Sequence, residues 1–200
     1  MCSTSVSKSA LSKLLVCFLI CHLAGCNAGG FAGLADGALG TVGLRRAGAD
    51  SVGATRIRLR VQASDNLNAS SSGSGLSLVV RIYQLREPES FLAAPLGALA
   101  GSDRELLGRE LVGTRELVLT PGQSFDGQEL VSAEANYIAI AGFFRNPAGG
   151  RAKLLFGRAA SVSGGVLIGA HACAFTVTIG EALGGTRDEP GSLSGVQCGI

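Results

Sequence analysis

The chain has 200 residues, a formal charge of +2, 16% charged residues, 30 Gly and no Trp. At 46% hydrophobic it is too apolar for a solvated disordered coil, and it lacks the basic excess of a nucleic-acid binder. Its Gly residues have no period of three, which excludes collagen, and no apolar run reaches the roughly 18 residues of a membrane span.

The N-terminus reads as an address. Lys8 and Lys13 are the only charges before Asp36, and Leu14 to Gly25 is an apolar stretch of 12 residues. A spanning helix needs about 20, so the stretch fits the h-region of an export signal better than a buried core helix. It ends in Leu23-Ala24-Gly25-Cys26, which resembles a bacterial lipobox. In such signals the chain is cut before the Cys, whose thiol and new amino group are acylated. Small residues at Ala24 and Gly25 let the peptidase close on the backbone. Each buried CH₂ adds about 0.8 kcal/mol, and two or more chains make the anchor stable. Residue 27 is Asn, not the Asp that retains lipoproteins in the inner membrane by the rule this signal resembles, so the expected place is the outer membrane, facing the periplasm.

Residues 1–25 are thus expected to be removed, and with them Lys8 and Lys13. The remaining chain carries 15 basic and 15 acidic residues and is neutral. Cys2, Cys17 and Cys21 leave with the signal and Cys26 carries lipid. Cys173 and Cys198 remain, an even pair in an oxidising compartment. A bridge would close a loop worth about 3 kcal/mol in the chain-entropy model. The alternative is two free buried thiols; the Gly-rich tail around Cys198, with little else to hold it, favours the bridge.

Residues 26–54 are rich in Gly and Ala without a lasting period and read as a flexible tether. From Arg56 to Ala63 the pattern alternates without error, with Ile57, Leu59, Val61 and Ala63 on one side and Arg56, Arg58, Arg60 and Gln62 on the other. This predicts a half-buried antiparallel strand with a solvated Arg face. Ser64–Gly75 is a polar loop, and Leu76–Leu85 a nearly all-apolar, central strand. Across 88–100, Leu92, Leu96 and Leu99 fall at helical spacing beside Phe91, but Pro95 breaks the helix or delays its start. Leu111–Leu119 predicts a third strand, closed by a type II turn at Thr120-Pro121-Gly122-Gln123. Further strands are expected at 129–133, 137–144, 151–156, 166–170 and 175–179, with a turn at Asn146–Gly150. The domain is expected to span 55–180, followed by a loop-like tail over 181–200.

Chemistry is sparse. His171 and Cys173 lack a third orienting group, so a nucleophile pair there is disfavoured. Asp188-Glu189 sits in a turn beside Pro190 and reads as solvated. Asn68-Ala69-Ser70 fits a glycosylation sequon that means little in a bacterial cell. There is no H-E-x-x-H, G-x-S-x-G, Walker-type loop or C-x-x-C. No enzyme activity, cofactor or metal is expected.

Three blocks nevertheless form a pattern: Val79-Val80-Arg81-Ile82-Tyr83-Gln84-Leu85 with a helix opening near Phe91, Leu119-Thr120-Pro121-Gly122, and Tyr137 through Pro147. With the lipobox, and in this order, they resemble the TssJ (SciN-type) outer-membrane lipoproteins of the type VI secretion system. The resemblance covers about residues 26–156. It implies an all-β, two-sheet, transthyretin-like β-sandwich with a short helical insertion between strands. It also implies a non-enzymatic role: anchoring the membrane complex by binding the periplasmic C-terminal part of TssM, with TssL completing the complex. The loop between the first two strands is implicated in that contact, here Ser64–Gly75; within it Asp65, Asn66 and Asn68 offer polar groups and Leu67 an apolar anchor, the alternative being a plain connector. Two features depart from the family pattern: 151–156 lacks the Trp often found there, and the chain runs on through 161–200. The competing readings are a ligand-binding lipoprotein, which would ordinarily use aromatic platforms scarce here, and an accessory lipoprotein of another envelope machine.

Overall fold

The computed structural model describes residues 53–184 and 191–199. The signal segment 1–25, Cys26, the tether to residue 52 and Asp188-Glu189 lie outside the described residues. The described chain runs β1 (Thr55–Ala63), β2 (Leu78–Leu85), α1 (Glu89–Ala93), α2 (Leu96–Leu107), a 3-10 turn (Gly108–Glu110), β3 (Leu111–Leu119), β4 (Ser124–Val131), β5 (Tyr137–Gly142), β6 (Lys153–Gly157), α3 (Arg158–Gly164), β7 (Val166–Ala170) and β8 (Phe175–Ile179).

The strands form two four-stranded sheets, ordered β4-β1-β7-β8 and β3-β2-β5-β6. All pairings are antiparallel except one. β1 is antiparallel to β4 but parallel to β7, with Leu59 opposite Val166. The sequence expectation of an antiparallel strand thus describes only one side of β1. Inward residues of both sheets make one core: Ile57, Leu59 and Val61 from β1 face Leu78, Val80 and Ile82 from β2, joined by Ile138, Ile140, Phe156, Ile168 and Phe175. The fold is the all-β two-sheet sandwich that the sequence implies.

A second cluster lies on the outer face of the β2 sheet. Tyr83, Leu85, Ala139, Ala141 and Leu155 meet Phe91 from α1, Leu99 and Leu107 from α2, and Ala94 between them. The alternating set of β2 therefore buries on both sides, which is why its sequence is an apolar run rather than an alternation. Pro95 divides the helical insertion. Ala94 before it is extended (ψ 131°), as the residue preceding a proline prefers, and α2 starts afresh at Leu96. The break changes the phase, so Leu92 is 42% exposed while Phe91 is the buried residue of α1.

Polar groups fix the helices to the sheet. Arg81 donates to Leu99 O (3.0 Å), Asp103 (2.8 Å) and Glu116 (2.8 Å), and its guanidinium lies 5.0 Å from the Phe143 ring centroid. Lys153 Nζ donates to the carbonyls of Phe91, Leu92 and Ala94 at 2.7–2.9 Å, which neutralises the open end of α1. Tyr83 lies beneath α1, its ring 5.7 Å from that of Phe91. Its buried hydroxyl lies beside the Arg81 guanidinium and Asp103, which bond to each other, and makes no well-aligned hydrogen bond of its own. Burial pushes this phenol up to about 12.

Two elements differ from what the sequence pattern predicts. β4 begins at Ser124, well before residue 129, because Phe125 folds over Gly127 and continues the inward pattern past a residue without a side chain. The pattern predicts no element at α3. Its seven residues, Arg-Ala-Ala-Ser-Val-Ser-Gly, end against Gly165 at φ +73°, too short a segment to show a helical period.

Candidate functional site

The strand directions gather four connections at one end of the sandwich: β1–β2, β3–β4, β5–β6 and β7–β8. The chain enters at the opposite end, where the carbonyl of Gly53 and the hydroxyl of Thr55 accept hydrogen bonds from Arg158. The loop end is thus the part of the domain farthest along β1 from Gly53.

The β1–β2 loop divides into a fixed base and an exposed tip. In the base, Ser64 O accepts from Leu67 N (3.1 Å) and Gly122 N (3.2 Å), and Leu67 O accepts from Leu76 N (2.7 Å). Asn68 N donates to His171 O (3.0 Å) and Ala69 N to Ala172 O (2.9 Å), which pins the loop to the β7–β8 turn. Gly75 passes so close that a Cβ there would lie 2.4 Å from Asp65 O, so only glycine fits. Gly122, at φ +73°, supplies the left-handed position of the turn foreseen at Thr120–Gln123, which closes with Gln123 N donating to Thr120 O at 3.1 Å.

All four expected contact residues lie in this base, and two of them are buried. Leu67 is fully buried in the inter-sheet core and is no apolar anchor for a partner. Asn68 is only 8% exposed. Its Nδ2 donates to Ser77 O (2.8 Å) and its Oδ1 accepts from Arg145 N (2.7 Å), so the side chain ties the loop to the β5–β6 turn. The physical reason is that a lone leucine in a polar loop beside an open sandwich end gains more by plugging the core than by facing water. Asn68 adopts φ +49°, a conformation asparagine tolerates. Asp65 and Asn66 are exposed, with Asn66 Oδ1 accepting from Ser64 Oγ at 2.6 Å.

The tip is a serine turn held by its own bonds. Ser70 N donates to Ser74 O (2.8 Å), Gly73 N to Ser70 O (2.9 Å) and Ser74 N to Ser70 Oγ (3.1 Å). Ser71, Ser72, Gly73 and Ser74 are exposed, as is Arg145 on the neighbouring turn. The surface offers hydroxyls, backbone groups and one charge of each sign, from Asp65 and Arg145. It is suited to hydrogen-bonded recognition and holds no group poised for bond breaking.

Cys173 and Cys198 are joined by a disulfide with Cα atoms 5.5 Å apart, so Cys173 has no thiol to pair with His171. His171 bonds Thr176 Oγ1 through Nε2 at 3.0 Å, and burial pushes its pKa below the usual 6.5. No group of three metal-ligating side chains occurs among the described residues. An open cleft at the Gly53 end of the sandwich, lined by Arg86, Ser90, Leu107 and Glu110, has its polar groups turned on one another. Ser90 bonds Glu110 (2.8 Å), and Arg86 bonds Arg109 O (2.8 Å) and Glu134.

Residues 55–173 match the family described as type VI secretion lipoprotein, VasD, EvfM, TssJ. The chain belongs to this family. Among solved structures, a chain of one described as "Type VI membrane complex" is 28% identical, with a TM-score of 0.58, covering 62% of this chain and 98% of the other. The T6SS lipoprotein TssJ1 from Pseudomonas aeruginosa is 23% identical, with a TM-score of 0.57 and coverage of 64% and 98%. A chain of a structure described as the T6SS protein TssM C-terminal domain (869–1107) from EAEC is 25% identical, with a TM-score of 0.55 and coverage of 62% and 97%. No curated protein sequence matches. The type VI lipoprotein match takes in both sheets up to the β7–β8 turn and stops at Cys173, leaving β8 and the disulfide-held tail outside it.

Signals for some of these features were present in the sequence. A buried role for Leu67 is marked by its isolation among Ser, Asp and Asn, and the Asn68 clasp by an asparagine at a turn. The clustering of the tip with Arg145 and the C-terminal tail depends on strand directions that no local pattern carries.

Proposed function

We propose that this type VI secretion lipoprotein is acylated at Cys26, sits on the periplasmic face of the outer membrane, and binds the periplasmic C-terminal part of TssM. In that role it anchors the membrane complex that TssL completes, without catalysing a reaction. The carrying observation is the polarity of the domain: the chain enters at one end of the sandwich, and an exposed polar tip, Ser71–Ser74, on a rigid base lies at the other. A rigid base makes an exposed tip more useful for binding, since little order is lost on contact. The similarity to chains from type VI membrane-complex structures supports the choice of partner.

Two measurements test this reading. Cys26→Ser should prevent lipidation and move the protein out of the outer-membrane fraction; retention there after a salt wash would remove the anchor. Replacing Ser71–Ser74 by a two-residue link should abolish binding of the mature domain to the TssM periplasmic domain while circular dichroism stays at wild type. Deletions that reach Leu67 or Asn68 would unfold the loop base and report on stability instead. Undiminished binding by the shortened tip would move the interface elsewhere.

A further inference from the structure

The segment 191–199 is held in place although it adds little to the core. Of its side chains only Val196 packs inward, on the small cluster of Ala148, Cys173 and Ala174. Its path is nonetheless fixed. Val196 N donates to Leu193 O (3.1 Å), Ser194 N to Ser192 Oγ (3.0 Å), Arg151 Nη2 to Ser192 O (3.1 Å), and Cys198 is bonded to Cys173. Gly199 comes so near the β5–β6 turn that a Cβ would stand 3.3 Å from Pro147 O. Fixing a Gly- and Ser-rich stretch carries a conformational cost for every residue, and burial of one valine does not offset it. The cross-link sets the geometry instead.

That geometry places the tail beside the loop end. The β7–β8 turn is a shared wall. On one side its His171 and Ala172 carbonyls accept from Asn68 and Ala69 of the β1–β2 loop. On the other, Cys173 O accepts from Ala148 N, and Cys173 holds the tail. Leu193 stands 42% exposed on this fixed segment. Residues 191–199 contain no charged side chain.

We propose that residues 191–199, fixed by the Cys173–Cys198 disulfide, are a second docking element for the same periplasmic protein partner, extending the β1–β2 loop surface across the β7–β8 turn with Leu193 as its apolar anchor. The inference rests on the loop-end reading above. The chemistry complementary to this element is an uncharged surface with a small apolar pocket, bordered by groups that bond the Ser192 and Ser194 hydroxyls and the Gln197 amide. An exposed leucine on a pre-ordered segment gains affinity by burial, with little ordering on contact. Because the segment is neutral, its contribution acts on dissociation and is insensitive to salt.

The test uses the mature chain carrying Cys26→Ser, oxidised, against the purified TssM periplasmic domain. Leu193→Ser leaves the disulfide intact and should weaken binding about tenfold through faster dissociation, at unchanged association rate and melting temperature. Cys198→Ser should weaken it at least as much, and reductant should lower the affinity of the parent protein but not of Cys198→Ser. Wild-type affinity in Leu193→Ser and Cys198→Ser, with binding lost on shortening the Ser71–Ser74 tip, would overturn the tail and leave the loop-end reading standing. Wild-type affinity in all three variants would overturn both. Lost affinity in Leu193→Ser with full affinity in the shortened tip would uphold the tail and remove the tip.

Discussion

On β1 the outward side chains are Arg56, Arg58 and Arg60; on β2 the outward positions are Val79, Arg81, Tyr83 and Leu85. The inner faces of the two strands are alike, so the difference comes from what lies outside them. Nothing among the described residues covers the β1 face. Among the described residues Arg56 and Arg58 have no ion-pair partner, Arg60 pairs with Asp126, and Leu130 and Ile179 stay about half exposed. The β2 face carries α1 and α2, and its neighbour β5 presents Ala139 and Ala141, whose small side chains let the helices approach closely. A sheet face is thus written by its cover: arginine where there is water, aromatic and aliphatic groups where there is a helix, and one arginine on the covered face that is wholly engaged.

The largest contrast is between the covered face and the open one. Phe91→Ala, which empties the space between α1 and Tyr83, should cost about 3–5 kcal/mol in denaturant unfolding. Arg58→Ala on the open face should change stability by less than about 0.5 kcal/mol. Similar losses for the two would mean that the open face is covered in solution.

Arg81→Met sharpens the comparison by asking what a charge does on the covered face. It leaves Asp103 and the Leu99 carbonyl without their donor and should cost about 2–3 kcal/mol. Adding Asp103→Asn should recover part of that loss. Additive losses in the double variant would show that the pair is not coupled.

The smallest expected effect belongs to His171, at the loop end of the open sheet. Burial holds its folded pKa below 6.5, so the unfolded chain binds more protons as the pH falls past that value. The contribution of His171 to stability is therefore complete above pH 6.5 and declines as pH falls through the folded pKa. Melting temperature should fall gently between pH 7 and pH 5, and His171→Asn, which cannot titrate, should flatten that slope. An unchanged slope in the variant would place the titrating group elsewhere.

The same contrast explains how much of the molecule is legible in the sequence. β1 announces itself because one face meets water, and β7 and β8 lie within their foreseen limits because turns bound them on both sides. The bounds of β4 were blurred by Gly127, and α3 by its brevity. The phase of the insertion was lost at Pro95, since spacing counted across a proline joins residues that do not share a face. At the loop end, composition marked 64–75 as polar and turn-rich but did not separate base from tip. Leu67 and Asn68 look available in the sequence because their partners, the sandwich core, Ser77 and the backbone of Arg145, come from elsewhere in the chain. Cysteine arithmetic singled out Cys173 and Cys198, while the neighbourhood of the tail followed only from the strand order.

The parallel pairing of β1 with β7 has a consequence for the order of assembly. β1 is a central strand flanked by β4 and β7, and its Leu59 meets Val166 more than a hundred residues further on. Loop closure over such a span is entropically slow, and sheets built from distant pairings fold in milliseconds to seconds rather than microseconds. A chain delivered from its N-terminus therefore presents β1 first and completes it nearly last. During that interval Ile57, Leu59 and Val61 lie on a strand with an open edge, and the alternating Arg56, Arg58 and Arg60 act as gatekeepers, their charges opposing edge-to-edge pairing between nascent copies.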